Sequence, residues 1–255
     1  MEKRRFWNLF ILLAVYVVTV SFPTYFLWTN NMYTIKGIEL GMRVAYLVFI
    51  ILFSIFTKLA KSYNGKPNYK NLFLLLPLFF VAFMNLFYWT VITRSNFDSI
   101  VDKITNGDRM FEIMTLACII VTVAEEELLF RYIIQKNLTV GHKILRITIS
   151  ASIFAGCHIF NLISFYGGLF PPIELLQILL VFGIGIILGF LFEYTNNIFV
   201  PITFSFIYAL CNDMIIPVAF SNVHYSYYIT ISCFAIGAAA YLLIFYFLML
   251  KKENR

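Results

Sequence analysis

Charge is what this sequence has least of: Asp, Glu, Lys and Arg together make up 13% of its 255 residues, about half the share of an ordinary soluble domain. So little charge cannot give a globule the mixed, solvated surface that water demands, which argues against a soluble fold. Cysteine is scarce as well. Cys118, Cys157, Cys211 and Cys233 have no metal-type spacing and no extracellular framework around them, so they read as apolar fillers rather than as a disulfide scaffold or a metal knuckle. There is no HExxH and no second intramembrane histidine to complete a zinc site, so neither a metal nor any other cofactor is expected. No Pro/Gly/Ser linker divides the chain, and its longest polar loop runs only from Arg94 to Arg109; residues 1–255 therefore read as a single transmembrane domain. Neither half repeats the other and no matched pair of broken helices appears, which weighs against a secondary transporter.

What the chain does have is apolar length. Hydrophobic residues reach 61% and aromatics 19%, and the mean hydropathy is +0.85. In hydrocarbon every backbone N–H and C=O must be satisfied within the segment, and the apolar runs are helix-length rather than the short alternating stretches of a barrel. The expected fold class is all-α, a polytopic membrane helix bundle of about eight transmembrane helices, with spans near 6–28, 41–60, 72–93, 110–135, 147–165, 174–193, 198–220 and 226–250. The basic start Met1-Glu2-Lys3-Arg4-Arg5 has a long apolar run behind it and no small-residue cleavage site, so it reads as an uncleaved first span.

The net charge of +6 reports orientation rather than a nucleic-acid partner. With the N-terminus inside, fourteen of the 19 basic residues fall on the cytoplasmic side, leaving Lys36, Arg43, Arg94, Lys103 and Arg109 for the other. The expectation is a multi-pass protein of the plasma membrane, N-in and C-in, whose first partner is the lipid bilayer. Gly185 and Gly189 form a GxxxG step, and Ala235, Gly237 and Ala239 crowd the last span, as close helix packing requires. Pro23, Pro77, Pro201 and Pro217 read as kinks or caps.

Ionisable groups inside lipid cost roughly 2.5–3.5 kcal/mol each on insertion scales, so a cluster of them needs a reason. Glu125-Glu126-Glu127-Leu128-Leu129-Phe130-Arg131 is such a cluster, in the fourth span. Glu127 and Arg131 are four apart and share a helix face, whereas Glu126 points about 100° away, free to face a cavity. The bland alternative is an interfacial charge patch with Arg131 snorkelling. His158 is the one histidine within a span, His142 and His224 lying in loops. Counted from the basic residues that end their helices, Lys136 and Arg146, Glu126 and His158 lie at a common depth of about 15–18 Å. A carboxylate and an imidazole at one level in a wet cavity can activate water and then protonate a leaving amine.

The residues now on the page resemble a family. Glu126-Glu127-Leu128-Leu129-Phe130-Arg131 fits the EExxxR motif, and Phe154-Ala155-Gly156-Cys157-His158 the FxxxH motif, of the CPBP or Abi family of CAAX proteases and bacteriocin-processing proteins, over roughly residues 110–215. The resemblance implies an intramembrane endopeptidase in which Glu126 and His158 activate water, Glu127 and Arg131 brace the site and Phe154 shapes it. It also implies a peptide or protein substrate, with bacterial members acting in peptide or bacteriocin processing or in self-immunity. The family is often labelled metalloprotease.

The third motif departs from the pattern. Where the family places a histidine after a span-opening proline and an asparagine four further on, Pro201 is followed by Ser205 and Ala209. Ser205 offers at most one neutral donor to a tetrahedral oxyanion and Ala209 none; Tyr208 and Asn212 lie on roughly the same face as possible replacements. Asp213 is the lone aspartate in a span, which excludes a two-aspartate protease, and no serine elbow with a partner histidine is present. Two readings stay open: an endopeptidase working near the cytoplasmic face, or a catalytically weakened scaffold that binds and regulates a membrane partner such as a sensor or cell-wall protein, or confers bacteriocin immunity.

Overall fold

The computed structural model describes residues 3–25, 32–59, 109–140, 142–166 and 172–210. Among them the fold is helical without strands: α1 (Lys3–Tyr25), α2 (Met32–Phe56), α3 (Arg109–Glu126) continuing directly as a π-helical segment (Glu127–Gln135), α4 (Lys143–Tyr166), α5 (Pro172–Thr195) and α6 (Phe199–Ala209). The expected spans 72–93 and 226–250, with Asn212 and Asp213, lie outside the described residues.

The helices are built outside-in. On α1 the inward stripe is Leu9, Leu12, Tyr16 and Thr19, a helical repeat, while Phe6, Trp7, Phe10 and Val18 are exposed. Along α2, Tyr46, Ile50 and Ser54 face in at four-residue spacing, and Val44, Val48, Ile51, Leu52 and Ile55 face out. The interior meanwhile holds Glu125, Glu127, Arg131, Gln135, Asn137, Ser150 and Asn197. An apolar exterior around an interior that mixes apolar side chains with buried polar and charged ones suits a bundle whose outer solvent is hydrocarbon. Two segments among the described residues are long and apolar enough to cross a membrane, Lys36–Phe56 and Ile178–Thr195; the expected count of eight spans goes beyond them.

The second span needs correction at its start. The helix begins at Met32 rather than at 41, which takes Lys36, Glu39 and Arg43 into the bundle wall. Arg43, expected near the outer end of its span, therefore lies mid-helix. Its side chain is 11% exposed and pairs with Glu125 on α3.

Helices α4 and α5 make the most extensive pairing in the described bundle. The GxxxG step is its seam: a Cβ on Gly185 would lie 3.1 Å from the Cβ of Ala151, and one on Gly189 would lie 2.7 Å from Ile147 Cγ2. Removing both side chains lets the backbones close, the main source of helix association where lipid supplies no hydrophobic drive. Between α5 and α6 the chain turns on Asn196, at φ 47°, in the left-handed region that asparagine tolerates. The Asn197 Oδ1 then accepts the Phe199 N–H at 2.9 Å, starting α6. Pro201 follows in the first turn, where its missing N–H costs nothing.

Candidate active site

Three consecutive carboxylates at about 100° steps cannot share one partner, and the fold gives each a different one. Glu125, fully buried, is paired with the Arg43 guanidinium of α2. Glu126, half-buried, accepts the Tyr16 hydroxyl of α1 at 2.9 Å. Glu127, 2% exposed, accepts the Ser205 hydroxyl of α6 at 2.9 Å and lies 3.5 Å from Arg131 Nε one turn on. Arg43 also reaches Glu39, which is held by Lys36 at 2.9 Å.

Among the described residues Arg131 is the largest side chain buried completely. It faces Glu127, lies 5.3 Å from the centre of the Phe154 ring, and Nη1 meets Ser150 Oγ at 3.4 Å. The Ser150 hydroxyl itself donates to the Phe130 carbonyl at 2.7 Å. In the π segment each N–H reaches back five residues instead of four, an arrangement common at functional sites; here it carries Glu127, Arg131 and Gln135, all buried.

An aromatic ladder crosses the cluster. Ring centroids step from Tyr46 to Tyr16 (5.7 Å), Phe130 (5.3 Å), Phe154 (4.9 Å) and His158 (4.6 Å), from α2 through α1 and the π segment into α4. His158 Nδ1 lies 2.9 Å from the Phe154 carbonyl. A carbonyl only accepts, so that partner assigns the proton to Nδ1 and leaves the Nε2 lone pair for another ligand in the neutral ring. Glu126 and His158 are not hydrogen-bonded to each other. Glu126 joins the ladder through the hydroxyl of Tyr16, whose ring is edge-on to Phe130, and His158 joins it through Phe154.

The structure thus joins Glu127, Arg131 and Ser205 directly, sets Phe154 against both Arg131 and His158, and hangs Glu126 from Tyr16. Asn212 lies outside the described residues. Ser205 departs from its expected geometry, because its one proton is directed to Glu127 rather than toward an oxyanion. Residues that sequence reasoning passed over are Tyr16, Arg43 and Glu125. An arginine inside an apolar helix is itself a signal, whereas one tyrosine among 16 is not.

A second polar group closes the far end of the π segment. Gln135 Nε2 donates to the Gly189 carbonyl (3.1 Å) and to Glu193 (3.4 Å), and Arg146 Nη2 reaches both Glu193 oxygens at 3.2 and 3.3 Å. Lys136, Arg146, Phe192, Glu193 and Asn196 line a half-open cleft of about 230 Å³ there. Glu126 and His158 are not among its walls, so this cleft is distinct from the acid cluster.

A helical bundle with an apolar exterior and carboxylate–guanidinium pairs buried inside it has the character of a membrane protein. Residues 109–211 match the family model described as type II CAAX prenyl endopeptidase, Rce1-like. That stretch contains α3, the π segment, α4, α5 and α6, and the match supports the resemblance drawn from the two motifs. No curated protein and no solved structure matches the chain. Among the described residues no three His, Cys, Asp or Glu side chains converge as a metal set would require. The residues described therefore do not fit a bound metal.

Proposed function

We propose that the protein is an intramembrane endopeptidase of a bacterial plasma membrane, cutting a peptide or membrane-proximal protein segment with water activated by Glu126 and His158. The observation that carries this reading is the contrast within the acid triplet: Glu125 and Glu127 are buried against cations, while Glu126 is only partly buried and forms no ion pair among the described residues. A base has to be reachable and uncommitted, and Glu126 alone of the three is both.

In this mechanism Glu126 takes one proton from water while His158 Nε2 accepts a hydrogen bond from the O–H that remains and orients the oxygen. The oxygen attacks the peptide carbonyl carbon; as the C–N bond breaks, the proton held by Glu126 passes to the leaving amine. Glu127 and Arg131 keep the π segment in register beneath the site. Glu126→Gln and His158→Ala, assayed on membrane-anchored peptides in detergent, should each cost on the order of 100-fold to 10,000-fold in turnover.

The second reading, a scaffold that regulates a membrane partner, is favoured by one observation: the Ser205 proton is committed to Glu127, and Ala209 has no donor to offer. A deletion phenotype that survives Glu126→Gln and His158→Ala at normal protein levels would decide for it.

A further inference from the structure

Tyr16 comes from α1, outside the matched residues 109–211, yet its hydroxyl spans 110 positions of sequence to reach Glu126. The ordinary partner of a tyrosine inside an apolar bundle is a nearby backbone carbonyl. Tyr46, whose ring lies tilted beside it, behaves in that way and donates to the Leu12 carbonyl at 2.7 Å. Tyr16 instead donates to a carboxylate, and its ring is held on two sides, by Tyr46 at 5.7 Å and edge-on by Phe130 at 5.3 Å. At 1% exposure it has no freedom to choose another partner.

The charges around it explain why the partner is a phenol. Glu39, Glu125, Glu126 and Glu127 face Lys36, Arg43 and Arg131. Four carboxylates meet three cations, and the carboxylate left over is Glu126. A guanidinium there would fix the carboxylate but also compensate its charge and blunt it as a base. A neutral hydroxyl fixes one oxygen without neutralising the group. Oε1 is taken by Tyr16, which leaves Oε2 for water.

We propose that Tyr16 is a positioning residue for the reaction, holding Glu126 by Oε1 so that Oε2 faces the attacking water. This rests on the general-base reading of Glu126 given above. It also makes α1 a working part of the site rather than an anchor for it.

The test compares Tyr16→Phe, Tyr46→Phe and Glu126→Gln in the full chain, in detergent, by peptide cleavage and by isotope-edited infrared spectra in which the carboxylate stretch lost in Glu126→Gln is assigned to Glu126. Tyr16→Phe should lower kcat by about ten- to a hundredfold, the range for losing a hydrogen bond to a charged group, with KM unchanged. It should also shift the Glu126 band. Tyr46→Phe should alter thermal stability but neither kcat nor the band. If Tyr16→Phe does not accumulate, 3,5-difluorotyrosine at position 16 keeps the ring and strengthens the donor, and should displace the band in the opposite sense with a change in kcat. A Glu126 band and a kcat indifferent to the substitution at 16, while Glu126→Gln abolishes cleavage, would overturn the role of Tyr16 and leave the base in place. Cleavage that persists in Glu126→Gln would overturn the base itself, and the role of Tyr16 with it.

Discussion

Ser205 donates its hydroxyl proton to Glu127 across 2.9 Å, tying α6 to the start of the π segment. The contact makes the divergent third motif part of the support for the acid cluster. Ser205→Ala should leave one Glu127 oxygen short of a donor inside the bundle and cost on the order of 1.5–3 kcal/mol, the usual worth of a hydrogen bond to a charged group. Ser205→Thr keeps the hydroxyl and should recover most of it. Thermal melts of the three proteins in one detergent measure the effect; equal midpoints would mean that the contact carries no stability.

Glu127→Gln and Arg131→Gln should behave alike. Each strands the opposite charge in a position without solvent, at a cost of about 3–5 kcal/mol, and should show first as reduced membrane yield. Glu126→Gln removes no ion-pair partner and should accumulate normally. Quantitative immunoblots of membrane fractions would separate the two classes, and equal abundance of all three would contradict the division.

The pair between Arg43 and Glu125 gives a sharper test of burial. Arg43→Gln leaves a carboxylate uncompensated at 0% exposure and should destabilise strongly. Glu125→Gln in the same chain removes the stranded charge and should restore part of the loss. The coupling energy from this double-mutant cycle is expected at 0.5–3 kcal/mol, the range for directly interacting residues.

Packing along α5 predicts a graded response to alanine. Gly189→Ala puts a Cβ 2.7 Å from Ile147 Cγ2 and 3.1 Å from Gln135 Oε1, so a β-branched side chain in a tight seam has to move. The expected cost is about 1–3 kcal/mol. Gly183→Ala, with nothing within 4 Å, is the control and should be neutral. Unfolding midpoints decide it.

Orientation can be measured directly. Reporter fusions at Asn30, Asn68, Asn106 and Gly141 should alternate outside, inside, outside, inside for an N-in chain. Two neighbouring fusions on the same side would overturn that topology.

The helical class was legible in the sequence because lipid leaves the backbone few options, and α3 with its π continuation, α4 and α5 begin and end within a few residues of the expected spans. The shared face of Glu127 and Arg131 and the separate direction of Glu126 follow from helical periodicity alone. Arg43 was counted with the outer-side charges because the expected span began only at 41, whereas this helix begins at Met32 and buries Arg43 mid-length against Glu125 of another helix. Tyr16 and Ser205 were illegible as partners. Hydrogen bonds 110 and 78 residues apart are set by which helices pack, and no local pattern encodes that. The GxxxG step was readable because close approach needs absent side chains, which a sequence displays.

Chain order adds a consequence to the three-partner arrangement of the glutamates. Tyr16 and Arg43 are synthesised well before Glu125 and Glu126, and Arg131 travels on the same helical run as Glu127. In a chain inserted as it is translated, α1 and α2 precede this acidic segment and are in place to receive it. Only the Ser205 contact has to wait for a later helix. The carboxylates therefore need not cross bare hydrocarbon unaccompanied, and a chain whose first two helices were supplied afterwards, on a separate polypeptide, would have to insert its acids without that reception.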